Sequence, residues 1–147
     1  MGIKLKTPQS AIEKMVEAKA EAIKQAAFVA LSMIGEQCIE IARNQNTYTD
    51  QSGNLRSSIG FMIVQDGKVM TQGGFEQVKN GEQGVKIGKK VVAEVAKQFP
   101  THSVLIVVAG MNYGIYVERR GYDVLSNAKL FAKKEALKTM KEQGLIL

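Results

Sequence analysis

The stretch S-I-G-F-M-I-V-Q-D-G-K-V-M-T-Q (58–72) decides the fold class. Residues 58–64 read as an apolar strand, and residues 68–72 as the return strand. Gln65-Asp66-Gly67-Lys68 lies between them, and an Asp-Gly pair at that place is the strongest short-range signal for a tight hairpin turn. Gly73-Gly74 closes the return strand. The chain therefore contains an antiparallel pair, joined locally and without a helical crossover.

Working outward, residues 8–43 read as one long helix. Ile12, Val16, Ile23, Ala27, Ala30, Ile34, Cys38 and Ile41 recur at helical spacing. Thr7 and Pro8 form a good start, with Thr7 as cap and Pro8 at the first helical position. Glu13, Glu17 and Glu21 suit the positive end of the helix dipole. Unbroken, such a helix measures roughly 54 Å, too long for one small domain to cover. It is expected to bend at Gly35, to project, or to pack on a neighbouring subunit. Residues 75–84 read as a flexible connection, and 88–99 as an amphipathic helix stopped by Pro100. Residues 103–109 (S-V-L-I-V-V-A) form a continuous apolar run, as in a strand covered on both faces. A last helix occupies roughly 125–143, with Ala128, Ala132 and Ala136 in a row and Gly144 at its end. The order α-β-β-α-β-α predicts a single α+β domain (1–147). It comprises a long N-terminal helix, a small, mainly antiparallel sheet of a hairpin plus a central strand, and two further helices.

The chain has 147 residues, 20 Lys+Arg against 14 Asp+Glu, and a formal charge of +6. The excess gathers in 79–97 and 119–147, which predicts positive surfaces suited to solubility or to an acidic partner such as DNA. No aromatic residues interleave with these lysines as stacking platforms. Aromatics make up only 6% of the chain and Trp is absent, so the core should rest on aliphatic residues, Ala and Met. The single cysteine, Cys38, excludes an internal disulfide and reads as a small buried thiol. The longest apolar run, 104–110, is far too short to span a bilayer.

Tests for chemistry point away from an enzyme. G-V-K-I-G-K-K (84–90) imitates a phosphate-binding loop, but has three residues between the glycines where four are needed. It also places Lys90 where the magnesium-binding hydroxyl belongs. His102 reads as a turn residue without partners for base catalysis. Asp50, Glu118 and Asp123 could supply an acidic pair, but Arg119 and Arg120 beside Glu118 favour a salt bridge or interface charge. In Y-T-D-Q-S-G-N-L-R-S-S-I-G (48–60), Asp50, Ser52 and Asn54 are turn formers and Gly53 allows a positive φ. Leu55 should drop into the core, and the stretch reads either as a plain helix-to-strand turn or as an exposed loop whose Asp50 and Arg56 meet a neighbouring subunit. No metal, cofactor or small-molecule substrate is expected.

Two segments together resemble a known family. T-D-Q-S-G-N-L-R-S-S-I (49–59) is similar to the T-G-x-L-x-x-S-I element of phage tail-completion proteins. These are the head–tail joining or minor tail components of long-tailed double-stranded DNA phages and prophages. A-G-M-N-Y-G-I-Y-V-E-R-R-G-Y (109–122) is similar to the family's Y-A-x-Y-V-E-x-G element, which follows the central strand. Gly53, Leu55, Arg56, Ser58 and Ile59 match the first element, and Tyr113, Tyr116, Val117, Glu118 and Gly121 the second. Ser52 stands where many relatives carry Thr, and two residues, not one, separate Glu118 from Gly121. Residues 73–100 look like an insertion relative to the minimal pattern. The resemblance implies a non-enzymatic virion subunit, found at the tail–head junction or in the host cytoplasm before assembly. Such subunits form a homo-oligomeric ring at the head-proximal end of the tail and meet connector and tail-tube proteins. Asp50, Gly53, Asn54, Leu55, Arg56, Ser58, Tyr113, Tyr116, Glu118, Arg119 and Gly121 are then the motif or interface residues. Lys86, Lys89 and Lys90 would lie near passing DNA. The alternative is a basic nucleic-acid-binding module outside any virion.

Overall fold

The computed structural model describes residues 2, 8–45 and 47–144. Helix α1 (Gln9–Arg43) is followed by a short α2 (Asn54–Ser57) and the hairpin β1 (Ile59–Gln65) and β2 (Lys68–Gly74). Then come α3 (Glu82–Ala96), β3 (Ser103–Ala109), α4 (Gly114–Arg119) and α5 (Ser126–Glu142). The sheet has the order β2-β1-β3 with both pairings antiparallel. The expected α+β architecture is what forms.

The hairpin follows its sequence signal closely. Gln65 pairs with Lys68, and Asp66 and Gly67 both take positive φ (49° and 78°), the geometry a two-residue hairpin turn needs. A register shift between Ile63 and Val64 pairs these residues with Thr71 and Val69, so Met70 is the extra residue of a bulge.

Alternation along β1 divides the core in two. Ile59, Phe61 and Ile63 face α1 and α5, joining Ile34, Cys38, Ile39 and Ala42. Met62 and Val64 face α3, joining Val92, Ile106, Val108 and Phe75. β3 alternates in the same way but is covered unequally: Ile106 and Val108 are buried toward α3, whereas Leu105 and Val107, toward α1, are only half-buried. Packing on both faces was therefore readable, but neither its unequal depth nor the strand's position was. β1 is the central strand and β3 lies at an edge. The segment that looks like an insertion forms α3, which packs against β1 and β3 on one face of the sheet. That helix begins at Glu82, six residues before the predicted start, because Gly84 and Gly88 are packing positions. A Cβ on Gly84 would collide with Asn54 O, and one on Gly88 would meet Ser58 O at 2.6 Å. The imitation phosphate loop is thus the body of a helix.

Helix α1 starts one residue later than predicted, with Pro8 at the cap (φ −59°, ψ 145°) and Gln9 as its first residue; Thr7 lies outside the described residues. It does not break at Gly35. That glycine brings the helix onto the sheet, since a Cβ there would stand 2.7 Å from the Phe61 ring. From the other side, a Cβ on Gly73 would stand 2.5 Å from the same ring. Phe61 is 2% exposed and has nowhere to move. Thirty-five helical residues span about 52 Å, whereas a seven-residue strand covers about 23 Å. The surplus is at the N-terminal end, where every residue from 13 to 25 is exposed. Cys38 is buried as expected, its Sγ 3.5 Å from Ala128 O, and burial raises its thiol pKa. Among the described residues no helix is long and apolar enough to cross a membrane.

Replacing Gly35 with Ala should therefore destabilise the fold. Helix propensity alone favours Ala by about 1 kcal/mol, but overpacking against a trapped ring costs about 1–3 kcal/mol. Urea unfolding should show a net loss, and a gain in stability would contradict the wedge.

Candidate functional site

The two segments that carry the resemblance are folded against each other. The first is a turn around Asp50, which is only 5% exposed. Its carboxylate accepts from the N–H of Gly53 (3.1 Å) and of Arg56 (2.8 Å), so it caps α2. Ser52 Oγ accepts from Asn54 N–H at 3.2 Å. Gly53 holds φ +82°, and a Cβ there would collide with Val78 O, so glycine is needed for both conformation and space.

This turn is a junction for the whole domain. Asn54 Oδ1 accepts from Gly84 N–H (3.0 Å) and fixes the first turn of α3. Ser57 Oγ accepts from Val78 N–H (2.8 Å), and Lys79 Nζ donates to Asp50 O (2.8 Å). Ser58 Oγ donates to Leu55 O (2.7 Å) and accepts from Met111 N–H (3.3 Å), while Ser58 O accepts from Gly110 N–H. Leu55 is buried at 1% exposure, as its position predicted.

The second segment begins where Ser58 holds it. Its chief polar residue, Glu118, was expected to make a salt bridge or to face an interface. Its carboxylate instead caps α5, accepting from the N–H groups of Val124, Leu125 and Ser126 and from Ser126 Oγ. A carboxylate suits this place because unpaired N–H groups and the helix dipole converge there. Burial pushes the Glu118 carboxyl up, but the bonds from Leu125, Ser126 and Val124 outweigh it and hold it below the ordinary value. Asp123 accepts from Asn127 N–H (3.2 Å). Gly121 ends α4 at φ +88°, its N–H bonded to Glu118 O.

One further expectation is corrected. Asp50 and Arg56 do not face outward. Asp50 is consumed by main-chain donors, and the Arg56 guanidinium lies over the Tyr48 ring at 5.0 Å and donates to Gln45 O. The arginine beside the tyrosines is Arg120, whereas Arg119 is exposed outside that pocket.

What does face outward is aromatic: Tyr113, Tyr116 and Tyr122 are exposed, whereas Tyr48 is half-buried with its hydroxyl inside. Tyr48, Tyr113, Tyr116 and Tyr122 are all four tyrosines of the chain, and they line one open pocket of about 470 Å³ with Thr47, Thr49, Val117 and Arg120. Tyr116 is 63% exposed, so its ring is not packed into the core. Tyr113 leans toward the first segment. Its phenol is raised above the ordinary value by burial and then by the charge of Asp50. Burial also raises the Tyr48 phenol, against the pull of Arg56. Thr47 ties the two sides, donating to Asp123 O and accepting from Asp123 N–H (3.0 Å). Sequence reasoning singled out Tyr113 and Tyr116 but passed over Tyr48 and Tyr122. The signal was present, because an aromatic-poor chain confines its tyrosines to these two segments.

Lys86, Lys89 and Lys90 stand exposed on α3. Lys86 pairs with Glu82 (3.1 Å), while Lys89 and Lys90 have no ion pair among the described residues. Among the described residues no group of His, Cys, Asp or Glu could hold a metal ion. The chain matches no protein-family model, no curated protein and no solved structure.

Two outcomes test how the site is built. Asp50→Ala removes both caps of α2 and should cost roughly 1–2 kcal/mol in urea unfolding. Because the Glu118 pKa is depressed in the folded chain, its contribution is present above the ordinary value of 4.5 and is lost as pH falls through the folded value. Wild type should therefore lose more stability below pH 4.5 than Glu118→Gln, and parallel pH profiles would contradict the cap.

Proposed function

We propose that this chain is a structural subunit of a phage or prophage particle, acting in tail completion or head–tail joining as one member of a ring at the head-proximal end of the tail. One observation carries this reading. Two short segments about fifty residues apart, each similar to an element of that family, pack into a single unit whose outer surface holds Tyr113, Tyr116, Tyr122 and Arg120, with Tyr48 half-buried beneath them. Tyrosine and arginine are the residues that most often dominate protein–protein contacts, because they bury large area at small entropic cost. The polar residues of the motifs shape this surface from beneath, and the tyrosines make the contact with the connector or the tail tube.

The exposed lysines of α3 support a second reading, a basic nucleic-acid-binding module. Within a ring the same lysines give non-specific attraction to DNA in the lumen. The two readings separate by experiment. Tails made from the genome that encodes this chain, with its gene deleted, should regain head joining when the purified protein is added. Tyr116→Ala with Arg120→Ala should weaken that rescue by about tenfold or more while leaving the thermal midpoint unchanged. No rescue by wild type would overturn the structural reading. The binding-module reading requires strong DNA affinity from the isolated chain. Reversing the charges of Lys86, Lys89 and Lys90 should then flatten its log–log salt slope by about 1 for each phosphate no longer neutralised.

A further inference from the structure

Helix α1 carries a seam that nothing in its own fold covers. Met15, Lys19, Ala22, Ala26, Val29 and Met33 follow one another at alternating steps of four and three residues, the spacing of a coiled-coil seam. On a helix with about 100° between residues they share one strip about 80° wide, and Glu13, Glu17 and Glu21 lie on the opposite side. The helix meets the sheet through Gly35, which also faces away from the strip. The strip is open: Met15, Met33 and Val29 are 69%, 60% and 50% exposed, Lys19 and Ala22 are exposed, and Ala26 is half-buried. Its first half is the arm, residues 13–25, where every residue is exposed. A helical stretch of that length is marginal in water without tertiary packing. Beside the second half runs a groove of about 740 Å³ between α1 and α5. Ala26, Val29 and Met33 line it from α1, and Glu135, Lys138 and Glu142 from α5.

We propose that two copies of this chain pair through this strip, α1 against α1 in opposite directions, so that the arm of each fills the α1–α5 groove of the other. The strip is complementary to itself in this direction. One register sets Met15 on Met33, Ala22 on Ala26 and Lys19 on Val29, and the two-fold axis repeats each pair. Small side chains then meet at the crossing point, where the backbones come closest, and the pliable methionines fill the ends. A slide of one heptad either sets Glu40 on Met15 or leaves Met33 facing Pro8, outside the helix. Charge agrees with this arrangement. Lys19 enters the groove beside an α5 wall that holds two carboxylates, Glu135 and Glu142, against one lysine, Lys138. The acidic row of the arm stays on the outer side, in water. A parallel pairing would stack Lys19 on Lys19 and leave both arms away from the grooves.

The contact is isologous and closes at two copies. It shares no residue with the tyrosine pocket, so it goes beyond the reading above and is tested independently of it.

The double variant Met15→Cys with Met33→Cys, in the full chain, tests the pairing. Within one helix these positions stand about 27 Å apart, far beyond the reach of a disulfide, so any bond between them joins two copies. Native Cys38 is buried and takes no part. Mild oxidation should link the double variant into a dimer and nothing larger, while each single variant stays unlinked. Adding Ala22→Glu, at an exposed position, should cut the yield by about tenfold or more while helix content is kept. In the chain without introduced cysteines, Lys19→Leu should tighten the dimer by about tenfold in sedimentation, because a lysine on a seam costs stability. Cross-linking of the single variants, species beyond the dimer, a double variant that stays unlinked, or indifference to Ala22→Glu and Lys19→Leu overturns the proposal.

Discussion

The buried carboxylate of Asp50 is the constraint on which the arrangement depends. By accepting from Gly53 and Arg56 it fixes α2, and α2 sets Leu55 in the core and Ser58 at the head of β1. Ser58 then holds the chain that leaves β3, while Asn54 holds the start of α3. Each such bond contributes only about 1 kcal/mol net. Burial of Ile59, Phe61, Met62, Ile63 and Val64 on β1 is larger, at about 1.5–3 kcal/mol each. Hydrophobic burial supplies most of the free energy, and the Asp50 turn decides where the elements stand when it is gained.

This division of labour leaves the periphery free for contact. Polar motif residues that a sequence reader would send to an interface are spent inside, on caps and turns. The surface above them belongs to Tyr113, Tyr116, Tyr122 and Arg120. Glu118 works as Asp50 does, joining α4 to the first turn of α5 through main-chain donors. A rigid interior with an aromatic patch, an exposed helical arm and an unpaired edge strand suits a subunit whose work is to be held by other proteins.

Much of this was legible in the residues, for physical reasons that can be named. Asp66-Gly67 needs positive φ at both positions, and such a demand leaves a clear mark in the sequence. The excessive length of α1 followed from counting helical turns, and the packing of β3 on both faces from an apolar run without alternation. What could not be read concerns neighbours in space. An apolar run reports that both faces are covered but says nothing of its edges, so β3 passed for the central strand. Gly84 was read into the preceding connection and Gly88 as the start of the helix, because their close approach to Asn54 and Ser58 is a tertiary fact. Asp50 and Glu118 looked like surface charges because their partners are backbone N–H groups, which nearly every residue carries. Arg119 and Arg120 were indistinguishable until α4 gave them different faces.

The central claim, that the paired segments and their tyrosine surface make this chain a joining subunit, is tested most directly by electron imaging of tails. Particles from the encoding genome should carry a ring of density at the head-proximal end when the chain is present and lack it when its gene is deleted. Tails with unchanged ends in the two preparations would contradict the account.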